Sequence, residues 1–271
     1  MKYKRIYIVS IIILFIILII GLVCFENNDK LIDLPSDDLT VVNKVDNQDL
    51  MIYASIDKLA IAKEDNTETI AWLRVPDTDV DNQVMQTTDN SKYLYTNEQG
   101  DYDRWGCYFA DYYSNLTSKE QLNQNTVIYG HSGSAELNEN PDGNRFSQLF
   151  RFLELDFINE NPYIYLTIND DVLPFEIFAV FHTSTDFYYI NPTPSNVGFE
   201  EFINTITKKN EYIFEGVDVE ETDKILTLST CSHRYDIDAS GNHRLVVMGK
   251  LVDGVKEKES NIFLNSNPER P

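Results

Sequence analysis

Short stretches in which apolar and polar side chains alternate, closed by proline, glycine or asparagine, recur between residues 70 and 251 and predict strands. Residues 70–75 end at Pro76-Asp77, 107–110 and 126–129 are shorter, 163–168 alternate cleanly, and 175–181 follow Pro174. Two further apolar runs occupy 224–231 and 245–251. Helical spacing is confined to three places. Ile52, Ile56, Leu59 and Ala60 recur behind a capping Asn47, Phe146, Leu149, Phe150 and Leu153 repeat at the same period, and residues 199–206 form a third segment. Strand and helix do not alternate regularly, so a parallel sheet is not indicated. The pattern predicts a mainly β fold, an antiparallel barrel or sandwich with peripheral helices.

Residues 6–25 break this texture, being almost wholly apolar and preceded by Lys2, Lys4 and Arg5. At ~1.5 Å per residue such a helix reaches ~30 Å, the thickness of a bilayer's hydrocarbon core. No small-x-small cleavage site follows, so the segment is expected to stay as an uncleaved transmembrane anchor. The basic residues before it predict a single-pass protein of the cell membrane, with residues 1–5 a cytoplasmic tail and the folded domain extracellular. Residues 26–46 have the polarity of a linker, 47–254 are expected to form one domain, and 255–271 read as a polar C-terminal tail.

Twenty-two basic against forty-four acidic residues give a net charge of −22, which argues against a nucleic-acid partner. Of three cysteines one lies in the apolar segment, leaving Cys107 and Cys231 outside it, too few for a disulfide-built scaffold. A Cys107–Cys231 bridge stays open as an alternative. Cys231 closes one apolar run and His243-Arg244 opens the next, a placement that fits a nucleophile, since a thiolate paired with an imidazole attacks carbonyl carbon. Its competing role is a small inert core residue. Among four histidines His131 is the best partner, because it stands directly after residues 126–130 at a strand end. His233 would point parallel to the thiol, His243 would face away, and His182 is expected at the surface. Arg244 offers a guanidinium to a developing oxyanion, against the alternative of a surface arginine. A zinc site from Cys231, His233 and His243 lacks paired ligand spacing, and a calcium loop from Asp236 fails at its twelfth position, Val247. No metal and no cofactor is expected.

In combination these segments resemble one family. Thr227-Leu228-Ser229-Thr230-Cys231 is similar to the signature around the nucleophile of the sortases, cysteine transpeptidases of Gram-positive cell surfaces. Residues 126–131 resemble their histidine strand, residues 244–247 their arginine strand, and the order His, Cys, Arg agrees. The likeness covers roughly residues 47–252 and is closest to class B, although Ser132-Gly133-Ser134 and Ser232-His233 depart from the familiar pattern. The resemblance implies an eight-stranded sortase-type barrel with an N-terminal helix and peripheral helices. It implies that His131, Cys231 and Arg244 are catalytic. Ser229 and Thr230 are carried over as pocket or backbone contributors, and Asn90, Leu94, Tyr189 and Ile190 match positions lining the class B substrate groove. The implied partners are surface proteins carrying a C-terminal sorting motif, cleaved after threonine through a thioester, and an amine of the peptidoglycan precursor. The alternatives are a pilin lysine as acceptor, a peptidase that only hydrolyses, and an inactive surface-binding module.

Overall fold

A computed structural model describes residues 47–133, 139–196, 198–236, 241–255 and 261–271. Apart from residues 47–49, all the described residues belong to one compact unit, Leu50–Pro271. Among the described residues no helix is long and apolar enough to cross a membrane. The single-pass cell-membrane location expected above is therefore not supported and is withdrawn; residues 6–25, on which it rested, lie outside the described residues.

Helix α1 (Asn47–Asp65) leads into β1 (Thr69–Arg74) and β2 (Asp81–Met85). After a 3-10 turn at Lys92–Leu94 come β3 (Tyr108–Ala110), β4 (Asn125–Tyr129), β5 (Ser132–Gly133) and β6 (Asn144–Arg145). A second 3-10 segment, Phe146–Leu153, precedes α2 (Leu155–Glu160), β7 (Tyr163–Ile168) and the long β8 (Asp171–Ser184). The remaining elements are α3 (Phe199–Lys209), β9 (Tyr212–Glu215), β10 (Ile225–Cys231), β11 (His243–Leu251) and β12 (Asn261–Leu264).

Eight strands close a barrel in the order β1-β2-β3-β4-β10-β11-β8-β7, which meets the expectation of a mainly β, eight-stranded barrel with few helices. It is not wholly antiparallel: β2 and β3, and β4 and β10, run parallel. Apolar alternation marks which side chains face inward but carries no strand direction, so these two crossovers were invisible in the pattern. The interior is filled by Leu73, Val84, Ile128, Ile164, Leu166, Phe175, Leu226, Leu228, Leu245 and Val247, all fully buried. Pro174 sits within β8 opposite Tyr165 of β7 and one residue before the pairing with β11 begins at Phe175, and its carbonyl accepts from the Val252 N–H at 3.0 Å, so a proline is tolerated where that ladder ends.

The helices cover the outside. Among the described side chains of α1, which begin at residue 54 and so leave out the expected Ile52, Ser55, Leu59 and Ala62 are buried, and Leu59 and Ala62 pack on Trp72, whereas Ala60, expected on the apolar face, is exposed. In α3, Phe202 and Ile206 are buried against Phe178 and Met248, while Glu200 and Glu201 in its first turn and Lys208 and Lys209 in its last complement the helix dipole.

Residues 261–264, expected within a polar tail, pair with β9 from Asn261↔Glu215 to Leu264↔Tyr212. A polar cluster also ties the end of the chain to the barrel, and it overturns the surface position expected for His182. That ring is fully buried, with Nε2 2.6 Å from Glu139 Oε1 and Nδ1 2.9 Å from Glu211 Oε1. Arg270 pairs with Glu211, and Arg234 Nη1 lies 3.2 Å from Glu139 Oε2. Burial alone would push the His182 pKa down, but the two carboxylates beside it outweigh that and hold it above its ordinary value. Burial likewise opposes ionisation of Glu139 and Glu211, yet their hydrogen bonds with His182 leave both below the ordinary carboxylate range.

A raised histidine stabilises the fold fully below its ordinary value of 6.5 and loses that contribution as pH rises through its folded value. Depressed glutamates stabilise above 4.5 and lose the contribution as pH falls through theirs. The cluster is thus strongest between those limits. His182→Gln is expected to lower unfolding free energy by about 3 kcal/mol near pH 5.5, the scale of breaking a buried pair, and by clearly less near pH 9. Denaturant titrations at the two pH values measure this; an equal loss at both would contradict the account.

Candidate active site

The site begins with strand pairing. β4 and β10 run parallel in the register Asn125↔Ile225 to Tyr129↔Ser229, and the Gly130 N–H donates to the Ser229 carbonyl at 3.3 Å. Continued by two positions, that register brings His131 and Cys231 to the same rim of the barrel. On the other side of β10, antiparallel β11 places Arg244 directly opposite Cys231. His131, two residues past the end of β4, thereby stands beside Cys231 on β10, 100 positions further along the chain, with Arg244 on the neighbouring β11.

A cavity of about 300 Å³ opens at this rim, lined by His131, Cys231 and Arg244. Ser229 and Thr230 form part of its floor, and Asn90, Leu94, Tyr189 and Ile190 part of its walls. The structure therefore brings together all nine residues singled out from the sequence. Phe109, Tyr129, Gly130 and Thr185 complete the lining and were missed. Of these, Gly130 carried a signal by its position before His131: a Cβ there would meet Phe146 Cδ2 at 2.8 Å and Tyr108 Cδ1 at 2.9 Å, so only glycine lets the chain pass.

His131 is held on several sides. Its Nε2–H donates to the Leu94 carbonyl at 2.9 Å, and its own carbonyl accepts from the Phe146 N–H at 2.9 Å. The rings of Tyr95 and Trp105 stand 5.9 and 6.3 Å from it between centroids. Because a carbonyl oxygen can only accept, Nε2 carries a proton, and Nδ1 is the nitrogen left to take up and release one. Leu94 therefore contributes twice, its side chain to the cavity and its carbonyl to the imidazole.

The groove walls are fixed by buried polar links rather than by packing alone. Tyr189 Oη and Ser229 Oγ are 2.9 Å apart. Asn125, completely buried on β4, donates from Nδ2 to the carbonyls of Tyr189 and Asn191 at 2.9 Å each and accepts from Thr227 Oγ1 at 2.6 Å. One amide thus ties the loop carrying Tyr189 and Ile190 to both central strands. Asn90 donates to Asp111 Oδ2 at 2.8 Å, and the Tyr129 hydroxyl donates to the same oxygen at 2.8 Å. Thr230 Oγ1 donates to the Gly130 carbonyl at 2.8 Å.

Arg244 donates from Nη1 to the Gly241 and His243 carbonyls at 2.6 and 2.8 Å, which bends its side chain over the end of β11. His233 and His243 turn to one carboxylate: their Nδ1 atoms lie 2.7 and 2.6 Å from Asp236 Oδ2 and Oδ1. Burial works against charge on Asp236, but these two contacts prevail and hold its pKa below the ordinary value. Most of the calcium-like loop, residues 237–240, lies outside the described residues. The two cysteines have different surroundings and no disulfide joins them. Cys107 is fully buried beside Met85, Tyr93 and Phe109, and burial pushes its thiol far above the usual range, so it stays a neutral thiol. Cys231 is partly exposed and opens into the cavity.

Comparison with known proteins places this arrangement in context. The family model described as the sortase domain matches residues 73–252. The chain is 34% identical to sortase B of Listeria monocytogenes over 197 residues, which span 72% of this chain and 74% of that protein. A mutant form of Clostridium perfringens sortase B superposes with a TM-score of 0.63 at 27% identity, covering 80% of this chain and 96% of that one. A Bacillus anthracis protein similar to sortase B gives a TM-score of 0.59 at 31% identity, covering 72% and 82%.

The contrast between the thiols is open to direct measurement. A methanethiosulfonate reagent is expected to modify the native protein at Cys231 and to spare Cys107, and the Cys231 adduct disappears in Cys231→Ala but persists in Cys107→Ala. Mass mapping of the labelled peptides reads the result; modification of native Cys107 at a comparable rate would contradict the buried, protonated state assigned to it.

Proposed function

Because this chain belongs to the sortase family, in its class B branch, and is a cysteine transpeptidase, we propose that it cleaves a C-terminal sorting motif of surface proteins after threonine. Cys231 attacks the threonine carbonyl carbon as a thiolate. The C–N bond breaks, His131 gives a proton from Nδ1 to the leaving amine, and a thioester with Cys231 remains. An amine of the cell-wall precursor then attacks the thioester, gives up a proton to His131, and leaves with the surface protein in amide linkage, while Cys231 returns as thiolate. The guanidinium of Arg244 faces the oxyanion formed in each half, where an aimed, charged donor is most effective in a water-poor site. Asn90, Leu94, Tyr189 and Ile190 seat the motif, and Ser229 and Thr230 shape the floor beneath it.

The observation that supports this reading most is that one small cavity is lined by the thiol, the imidazole, the guanidinium and all six proposed substrate residues. The pinning of Nε2 to the Leu94 carbonyl adds that the proton-exchanging nitrogen has a fixed direction. Neither the choice of acceptor nor the separation of anchoring from pilus assembly is needed for the chemistry, since each uses a primary amine on the same thioester.

Kinetics with a small library of sorting peptides tests the roles separately. Cys231→Ala is expected to abolish cleavage while leaving the circular-dichroism spectrum and melting temperature close to wild type. His131→Ala is expected to lose about 10²–10⁴ in kcat/KM, the usual contribution of a positioned acid–base group. Arg244→Lys, which keeps charge but loses the planar fork, is expected to lose about 10²–10³, mostly in kcat. Turnover retained in Cys231→Ala would sink the proposal. Cleavage that yields only acid when an amine is supplied would instead point to a peptidase.

A further inference from the structure

The turn that follows the nucleophile is held from outside the barrel by a segment far along the chain. Tyr235, four residues past Cys231, lies between two guanidiniums, Arg234 at 5.9 Å and Arg270 at 5.6 Å from its ring centroid. Resting on the transpeptidase reading above, we propose that Arg270, with the segment 265–271 that carries it, is a positioning residue for Cys231: it fixes the backbone leaving the thiol and so sets the rate of the chemical step without touching substrate.

Two routes lead from Arg270 to that backbone. The shorter is the contact with Tyr235 itself, a cation against a ring face. The longer runs through buried groups. The Arg270 fork meets both oxygens of Glu211, Nη2 donating to Oε2 at 2.8 Å, and Glu211 Oε1 lies 2.9 Å from His182 Nδ1. The other nitrogen of that imidazole reaches Glu139 Oε1 at 2.6 Å, and the same oxygen accepts from Ser232 Oγ at 2.7 Å. Ser232 is buried, and its N–H donates to the His243 carbonyl at 3.1 Å. The residue after the thiol is thus tied both to the residue before Arg244 and to the chain of buried groups that ends on Arg270.

The segment is itself anchored before it reaches the turn. The Asn265 N–H donates to the Glu211 carbonyl, its Nδ2 to the Asn210 carbonyl, and the Glu269 N–H to the Lys208 carbonyl, each at 2.8 Å. Arg270 therefore arrives at a fixed place, and its side chain loses little further freedom in pairing. An isolated exposed ion pair would contribute little, but this one is a fork on a carboxylate that is only 15% exposed and belongs to a network. On the inner side of the same turn Asp236 holds His233 and His243, so the turn is gripped from two sides. The grip matters because a misplacement of ~1 Å at reacting atoms costs ~10² in rate. No residue of 265–271 lines the Cys231 cavity, so the effect belongs in kcat rather than KM.

The test compares the full-length protein with point variants, each assayed well below its melting temperature on a cleavable sorting peptide. Arg270→Ala and Tyr235→Leu are each expected to lose about tenfold in kcat, with KM changed less than twofold. Tyr235→Phe, which keeps the ring, is expected to restore most of the rate. The double variant Arg270→Ala/Tyr235→Leu is expected to lose less than the product of the two single losses, because both act on one turn. Glu269→Ala breaks only the 3.7 Å pair with Lys209 and is expected to keep kcat within twofold. Hydrogen exchange reads the grip without substrate: the peptide covering residues 229–236 is expected to exchange at least fivefold faster in Arg270→Ala, and residues 69–74 to be unchanged. An unchanged kcat in Arg270→Ala, a loss confined to KM, an equal loss in Glu269→Ala, or unchanged exchange over 229–236 would each overturn the positioning role. Absence of cleaved peptide in the wild type would instead overturn the transpeptidase reading, and the exchange measurement would still decide whether Arg270 holds the turn.

Discussion

The site depends on one constraint, the parallel pairing of β4 with β10 inside a closed barrel. Two strands joined by a tight turn run antiparallel and carry their C-terminal ends to opposite rims. A parallel pair ends at one rim and needs a long crossover between its members. Here the crossover takes residues 130–224 around the barrel, which lets His131 and Cys231 emerge side by side, and antiparallel β11 then returns with Arg244 opposite the thiol. Closure of the barrel removes free edges and fixes the register of all three strands at once. The proposed thiol, imidazole and guanidinium are thus positioned by backbone geometry before any side-chain contact is made.

A second layer of buried polar groups turns that placement into a shaped cleft. Asn125 bonds the loop of Tyr189 to both central strands, Asp111 gathers Asn90 and Tyr129, and the Leu94 carbonyl sets the imidazole. Each is a group whose burial would be costly if it were left unpaired, so each specifies one arrangement of the loop it holds. The His182 cluster does the same for the chain's last residues, which it joins through Glu211 and Arg270 to the strand beside the site. Ser232, next to Cys231, donates to Glu139 in that cluster at 2.7 Å, so the end of β10 and the C-terminal segment share one hydrogen-bonded network.

Much of this was legible in the sequence, and the exceptions have physical reasons. Strands β1, β4, β7, β10 and β11 announce themselves because each buries one or both faces and ends at a turn. β2 escaped notice since Asp81, Asn82 and Gln83 are polar; its Asp81 accepts the Trp72 indole N–H at 2.6 Å, a partner no periodicity reveals. β9 and β12 pair only with each other, outside the barrel, and their exposed Ile213, Phe263 and Leu264 give no inward alternation. His182 looked like a surface residue because histidine at a strand end usually is one, and the two glutamates that make its burial tolerable lie 43 and 29 positions away. The site residues were found through resemblance, since each alone had a duller explanation. The aromatic rings beside His131 carried no signal, because no spacing in the sequence relates Tyr95 and Trp105 to that imidazole, and only the fold brings them to it.

The central claim is that the Cys231 sulfur carries the acyl group of a cleaved peptide. Rapid acid quenching of the protein with a sorting peptide, followed by peptide mapping in the mass spectrometer, tests it most directly. The account predicts a labile acyl adduct on the fragment containing Cys231, absent from Cys231→Ala and discharged by hydroxylamine. Peptide cleavage at full rate with no adduct at any time, or an adduct on another residue, would contradict it.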